Sequence, residues 1–532
     1  MSSTTKTVAK AAGIMMAAIF VSRLLGLVRI MVIGDQFGVG GEVSAYRFAF
    51  NLPDTLYFLI SSGVLQAAFI PVFTEYWTKG KEEEAWKIFS IIATFVFLLL
   101  TSIIIICEVF AKPIVGIVAY GFVSKHPEMW NLTTVLTRIV LPSQLFFFMG
   151  GLITGTLQAR QHFTAPAIGP IIYNIFIIAG ALFLAETFGI AGLSWGALIG
   201  SFVGIFLLQI IVVRKIGVRF KPSLNLRHPG VKQVGRMALP VILGLSLPYV
   251  DVIINSWFAG FLPNPGAAAA LEYANRLMQM PLGIFAQATA VALLPTLAAQ
   301  AARNEIAELR RSINFGFRGI LLMTIPSSVL MVVLATPIVR AILQHGQFKP
   351  NDAPYVGFAL VFYAIGIAGW AGQAVVTRGF YALQATVVPV VTGTVATIIF
   401  IPLNWLLMKP MGHGGLALAT SIAVMLNMLA LLELLRRRLG GLNLRLIVKS
   451  LTKVTFSSAV AGAVAWAMLR LAAQHVDITQ QFGALAGVII ASVPALVVYV
   501  GMIALLKVDE AAEIWGIVSR RLKRRAAVAE ET

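Results

Sequence analysis

The chain has 532 residues, of which 58% are hydrophobic and only 12% charged, where a soluble chain carries roughly 25% charged residues. That balance excludes a soluble globular protein. The net charge of +19 does not point to nucleic acid, because the basic residues sit in short clusters between apolar runs, as membrane orientation requires.

Runs such as 88–106 and 488–506 are long enough to cross a hydrocarbon core, which takes about 20 helical residues. The N-terminus resembles a signal peptide in placing Lys6 and Lys10 before an apolar stretch. That stretch contains Arg23 and Arg29 and has no convincing cleavage site, so it reads as a retained first helix. In chain order the predicted spans are 8–34, 43–76, 86–118, 129–159, 166–186, 191–213 and 233–262. They continue with 267–299, 313–342, 355–384, 387–408, 414–436, 449–472 and 483–507. The expectation is an all-α polytopic membrane protein of about 14 transmembrane helices. The single cysteine, Cys107, lies inside an apolar run, which excludes a disulfide framework and a cysteine zinc site.

With fourteen spans, both termini share a side. That side receives 29 of the 41 Lys and Arg residues, and the opposite side only six: Lys112, Lys125, Arg340, Lys349, Lys409 and Arg470. The positive-inside rule then puts both termini in the cytoplasm. The basic tail Arg520-Arg521-Leu522-Lys523-Arg524-Arg525 is suited to anionic headgroups.

The first six spans echo the next six. Ala45-Tyr46-Arg47 with Pro53 and Pro71 matches Tyr273-Ala274-Asn275-Arg276 with Pro281 and Pro295. Leu157-Gln158-Ala159 with Pro166 and Asn174 matches Leu383-Gln384-Ala385 with Pro389 and Asn404. Residues 1–215 and 233–438 therefore read as two pseudo-symmetric six-helix lobes joined by a cytoplasmic linker, 216–232. Two C-terminal helices at 439–510 and a tail at 511–532 follow. Such a repeat keeps both lobes in one orientation, with a cavity expected between them. This favours a transporter working by alternating access over a channel or receptor, and outer loops that are mostly short and poor in acids and His argue against an enzyme.

Arginine in a lone helix centre costs roughly 2.5–3.5 kcal/mol, so each needs water or a partner. Arg23, Arg29, Arg47 and Arg276 fall on predicted spans 1, 2 and 8. Gly26 and Gly34 would permit a break in the first span, and Pro53 and Pro281 should interrupt the others. Guanidinium groups bind phosphates in bidentate fashion and stay charged when desolvated. The expected cargo is an anion bearing phosphate or pyrophosphate. Asp251, beside Asn255 in an apolar span, needs a cation: an arginine such as Arg276, a Na+ ion or a transported proton each answers that need. Asn404 and Thr420 would complete a sodium shell. His345 and His413 fall in predicted outer loops, where solvation is the plain reading.

Ser22-Arg23-Leu24-Leu25-Gly26-Leu27-Val28-Arg29 resembles the opening motif of the MurJ (MviN) lipid II flippase family. So do Asn51-Leu52-Pro53, Gln66-Ala67-Ala68-Phe69-Ile70-Pro71 and Tyr273-Ala274-Asn275-Arg276-Leu277-Met278. Leu294-Pro295 and Gly379-Phe380-Tyr381-Ala382 extend the likeness, which runs from about residue 8 to 510. The resemblance implies the multidrug/oligosaccharidyl-lipid/polysaccharide exporter fold and export of lipid II, the undecaprenyl-pyrophosphate-linked peptidoglycan precursor, at a bacterial inner membrane. It implies substrate binding by Arg23, Arg29 and Arg276, with Arg47 added from this chain's own pattern. It further implies a lipid-tail groove in the last two helices and possible Na+ binding at Asp251, Asn404 and Thr420, with no other cofactor. Membrane lipids and lipid II are the expected partners, with a monomer as the working unit. The alternatives are a flippase for another polyprenyl-linked oligosaccharide and a drug exporter of the same superfamily. Family acids are replaced in Ser44-Ala45, at Gln279 and in Gln384-Ala385-Thr386, and a family arginine by Tyr57.

Overall fold

The computed structural model describes residues 3–60, 68–160 and 162–513, and every regular element among them is helical. Gln66, Ala67 and the basic tail lie outside the described residues. The chain forms two compact units, Met1–Ala269 with His345–Phe348, and Ala270–Gln344 with Lys349–Thr532.

Unit 1 opens with α1 (Ser3–Phe37), α2 (Gly41–Ala49), α3 (Asn51–Ile60), α4 (Ile70–Thr78) and α5 (Glu82–Val109). The short helices α6 (Ala111–Val118), α7 (Tyr120–Lys125) and α8 (Met129–Val140) follow, then α9 (Ser143–Ala159) and α10 (Thr164–Ala179). It closes with α11 (Ala185–Phe188), α12 (Ala191–Gly200), α13 (Leu208–Lys215) and α14 (Pro229–Gly260). By sequence repeat α14 begins the second lobe; by packing it lies in unit 1, against α3, α5 and α7.

Unit 2 takes in most of α15 (Ala267–Pro281), then α16 (Gln287–Ala302), α17 (Ile306–Val333), α18 (Ala335–Leu343) and α19 (Asp352–Ile365). It ends with α20 (Ile367–Ala382), α21 (Val387–Arg438), α22 (Leu444–His475) and α23 (Gln481–Leu505). Among the described residues, ten helical stretches are long and apolar enough to cross a membrane. One of these, α21, is 52 residues long and bends at Gly412. There φ is 56° and ψ −132°, a backbone state open mainly to glycine. The predicted spans 387–408 and 414–436 fall on either side of that bend.

Two prolines act at helix boundaries as their chemistry dictates. Pro53 cannot donate to the carbonyl of Ala49, and α2 ends at Ala49. Pro281 ends α15, and a π-helical turn, Leu282–Ala286, takes over.

Each unit has its own apolar core. In unit 1, Phe69 at the start of α4, Phe73 and Trp77 within it, and Trp86 and Phe89 of α5 interlock through edge-on, tilted and stacked rings. In unit 2, Leu309, Ile313, Phe317 and Ile320 form one face of α17. That face belongs to a single cluster with Val375, Val376 and Phe380 of α20 and Leu431 and Leu435 of α21.

A second packing device is steric. Gly192, Gly196, Gly200 and Gly204 recur every fourth residue along α12 and the π-helical turn after it, and α10 lies against them. A Cβ on Gly196 would sit 2.4 Å from the Phe176 carbonyl oxygen, and one on Gly180 2.4 Å from that of Gly192. Small residues let backbones approach where lipid gives no hydrophobic drive between helices. Gly196→Val is expected to destabilise the protein by about 1–3 kcal/mol, read as a lower melting temperature of the purified protein in detergent. Gly393→Ala, where a Cβ meets nothing within 4 Å, should melt like wild type. Equal melting of the two variants would contradict the close-approach account.

Candidate functional site

Arg23 and Arg29 both lie on α1, which runs as one helix through Gly26 and Gly34. The break those glycines permit does not form. Six residues of continuous helix leave the two side chains about 120° apart around the axis. Arg23 is exposed and Arg29 half-buried. Neither has an ion-pair or hydrogen-bond partner among the described residues. Beside Arg23, the Ser22 hydroxyl accepts from the Asn174 amide at 3.4 Å, tying α1 to α10.

Arg47 occupies the last turn of α2, where a cation complements the helix dipole. Its Nη1 reaches across the Phe50 break to Asn51 Oδ1 at 3.5 Å, and Asn51 is itself buried. Arg276, on α15, donates from Nε to Glu272 Oε1 at 2.8 Å. This is an i,i+4 pair with the acid on the N-terminal side, the favoured order on a helix. The sequence left the partner of Arg276 open, and Glu272 of its own helix is one. Unit 1 thus carries Arg23, Arg29 and Arg47, and unit 2 carries Arg276.

Asp251 falls on α14, but its side chain lies outside the described residues. Asn404 is fully buried, and neither its Oδ1 nor its Nδ2 has a hydrogen-bond partner among the described residues. Leaving a buried amide unpaired costs about 1–3 kcal/mol per group. Its Oδ1 is a hard oxygen donor of the type that simple cations take. Thr420 lies beyond the Gly412 bend and donates its hydroxyl to the Leu416 carbonyl at 2.8 Å.

Of the two histidines, His413 differs from its plain reading. His413 is buried at the bend of α21, its Nε2 2.8 Å from the Tyr355 carbonyl and its ring 4.0 Å from that of Tyr355. It is a packed core histidine, not a solvated one. His345 heads the segment His345–Phe348 of unit 1, in which the Gln347 N–H donates to the Asp35 carbonyl at 2.7 Å.

One buried ion pair gave no sequence signal. Glu510, 1% exposed, pairs with Arg318 of α17 and accepts from the Ser450 hydroxyl of α22 at 3.0 Å. Lys453 Nζ caps the end of α23 by donating to the Leu506 carbonyl at 2.6 Å. The pair ties α17 to the C-terminal hairpin.

A family model described as lipid II flippase MurJ matches residues 33–483. A probable lipid II flippase MurJ of Buchnera aphidicola (subspecies Acyrthosiphon pisum) is 30% identical over 79% of this chain and 82% of its own. The lipid II flippase MurJ of Burkholderia cenocepacia is 29% identical over 78% of this chain and 81% of its own. A solved lipid II flippase MurJ in an inward closed conformation has a similar fold. It matches with a TM-score of 0.77 and 24% identity, over 92% of this chain and 98% of that one. An inward-facing multidrug resistance MATE family transporter of the MOP superfamily matches with a TM-score of 0.65 and 14% identity, over 79% and 94%. The first two likenesses identify a family and the last two a fold; the chain belongs to the lipid II flippase MurJ family.

Proposed function

We propose that this chain exports lipid II from the inner to the outer leaflet of a bacterial inner membrane by alternating access, as a monomer with both termini in the cytoplasm. The family match over residues 33–483 carries this reading. The side chains supply its chemistry: Arg23, Arg29, Arg47 and Arg276 bind the pyrophosphate of the headgroup, while the polyprenyl tail stays in lipid along α22 and α23. A membrane potential negative inside favours outward movement of an anion by roughly 2.3 kcal/mol per charge per 100 mV. Resetting the empty carrier then falls to an inward cation at Asp251, Asn404 and Thr420.

Arg29 is the most informative test, because among the described residues no carboxylate holds it in place. In cells depleted of the native protein, wild type should restore lipid II export. Arg29→Ala should restore less than about a tenth of it, given the strength of charge-assisted phosphate contacts, with Arg29→Lys between the two. Unchanged lipid II export on depletion, with no redundant flippase present, would reassign the cargo to another polyprenyl-linked oligosaccharide.

The cation reading has a separate readout. Sodium at ten times its Kd should stabilise the purified wild-type protein by about 1.4 kcal/mol, seen as a rise in melting temperature over the same concentration of choline. Asn404→Leu, which removes two unpaired polar groups, should melt higher in choline and lose the sodium response. A sodium response that survives Asn404→Leu would rule this residue out as a ligand.

A further inference from the structure

The connection 216–228 is docked along α5. Between its turns at 216–217 and 226–227, its backbone meets successive turns of the helix through two hydroxyls. The Lys221 N–H donates to Ser90 Oγ at 3.1 Å, and the Ser223 N–H to Thr94 Oγ1 at 3.3 Å. Ser90 Oγ donates in turn to the Arg219 carbonyl at 3.5 Å, and Thr94 Oγ1 to the Ser90 carbonyl at 2.7 Å. The register follows from two repeats that nearly agree: two extended residues advance about 6.6 Å, and four helical residues about 6 Å. Phe220 packs edge-on to Phe89, and Arg219 Nη1 lies 3.6 Å from Glu83 Oε1. Upstream, Arg160 Nη1 donates to the Ile216 carbonyl at 2.6 Å.

This strap ends at His228, where both ring nitrogens are engaged. Nδ1 accepts the Gly230 N–H at 3.1 Å, capping α14. With Nδ1 accepting, the proton sits on Nε2, which donates to Glu84 Oε2 at 2.7 Å. The next residue, Pro229, has no N–H and suits the first turn of a helix. Gly230 approaches α5 so closely that a Cβ there would lie 2.3 Å from Ile88 Cδ1. The start of α14, the helix that carries Asp251, is therefore set by α5.

We infer that His228 is a positioning residue for transport: with Glu84 it pins the start of α14 to α5, and the strap 216–228 holds that pin in register. The pin stands on its own contacts; its consequence for transport rests on the flippase reading above.

The test uses the full-length protein in lipid nanodiscs, with hydrogen exchange followed at 219–223 and 230–233 and lipid II export measured in cells. His228→Phe keeps an aromatic ring but neither hydrogen bond. It should speed exchange at 230–233 by roughly five- to tenfold and lower export about fivefold. Glu84→Ala should lower export to the same degree, and the double variant no further, because the contact that matters for export is the one bond between them. His228→Asn, a good helix cap that is too short to reach Glu84, should restore slow exchange at Gly230 while leaving export low. Glu84→Gln, which still accepts the bond, should retain most export. Additive losses in the double variant would overturn the proposal, as would wild-type exchange at 230–233 in His228→Phe, or fast exchange with undiminished export. Should the wild-type protein move no lipid II at all, the flippase reading fails while the exchange measurements still decide the pin.

Discussion

A guanidinium group stays charged wherever it is placed, so every arginine on an apolar helix must be matched by a carboxylate, a dipole, water or a ligand. Several arginines among the described residues are matched internally. Arg276 leans on Glu272, Arg318 on the buried Glu510, and Arg436 and Arg437 share Glu433. Arg138 stands 4.0 Å from Glu108, and Arg378 lies over the ring of Tyr381. Arg23 and Arg29 are the exceptions on α1, with no such partner among the described residues. Arg23 is exposed and Arg29 half-buried, so water or a ligand is left to match them.

The helices that carry these charges are held by two kinds of packing. Interlocked aromatic and aliphatic side chains build the cores of both units. Between α10 and α12 the fit is instead backbone against backbone, permitted by glycines at every fourth residue. Polar ties then fix particular joints. Glu510 joins α17 to α22, and His228 joins α5 to the start of α14. Truncating one member of the Arg318–Glu510 pair, where the carboxylate is buried, costs more than the pair contributes, because the other is left without compensation.

Long apolar runs were legible because the bilayer imposes their length, and Pro53 and Pro281 coincide with helix ends because a missing N–H acts locally. Gly26 shows the limit of that logic: glycine permits a break but does not force one, and α1 continues through it. His413 read as a loop residue because its surroundings, Tyr355 and Phe358, come from another helix. Arg318 could not be matched to Glu510 for the same reason, since 192 residues separate them. The docking of 216–228 depends on Ser90 and Thr94, two hydroxyls inside an apolar run whose pattern announces only a helix. Of the site, residue types and helices were readable. Partners such as Glu272 for Arg276 and the buried, unpaired state of Asn404 required coordinates.

The central claim is that guanidinium groups on apolar helices recognise a pyrophosphate. It is tested most directly by comparing the affinity of the purified protein for lipid II with its affinity for an analogue of identical sugar, peptide and tail, joined by an uncharged linkage. Binding to lipid II should be tighter by at least about tenfold, the equivalent of one charge-assisted contact, and the difference should shrink at high salt. Equal affinities for the two lipids would contradict the account.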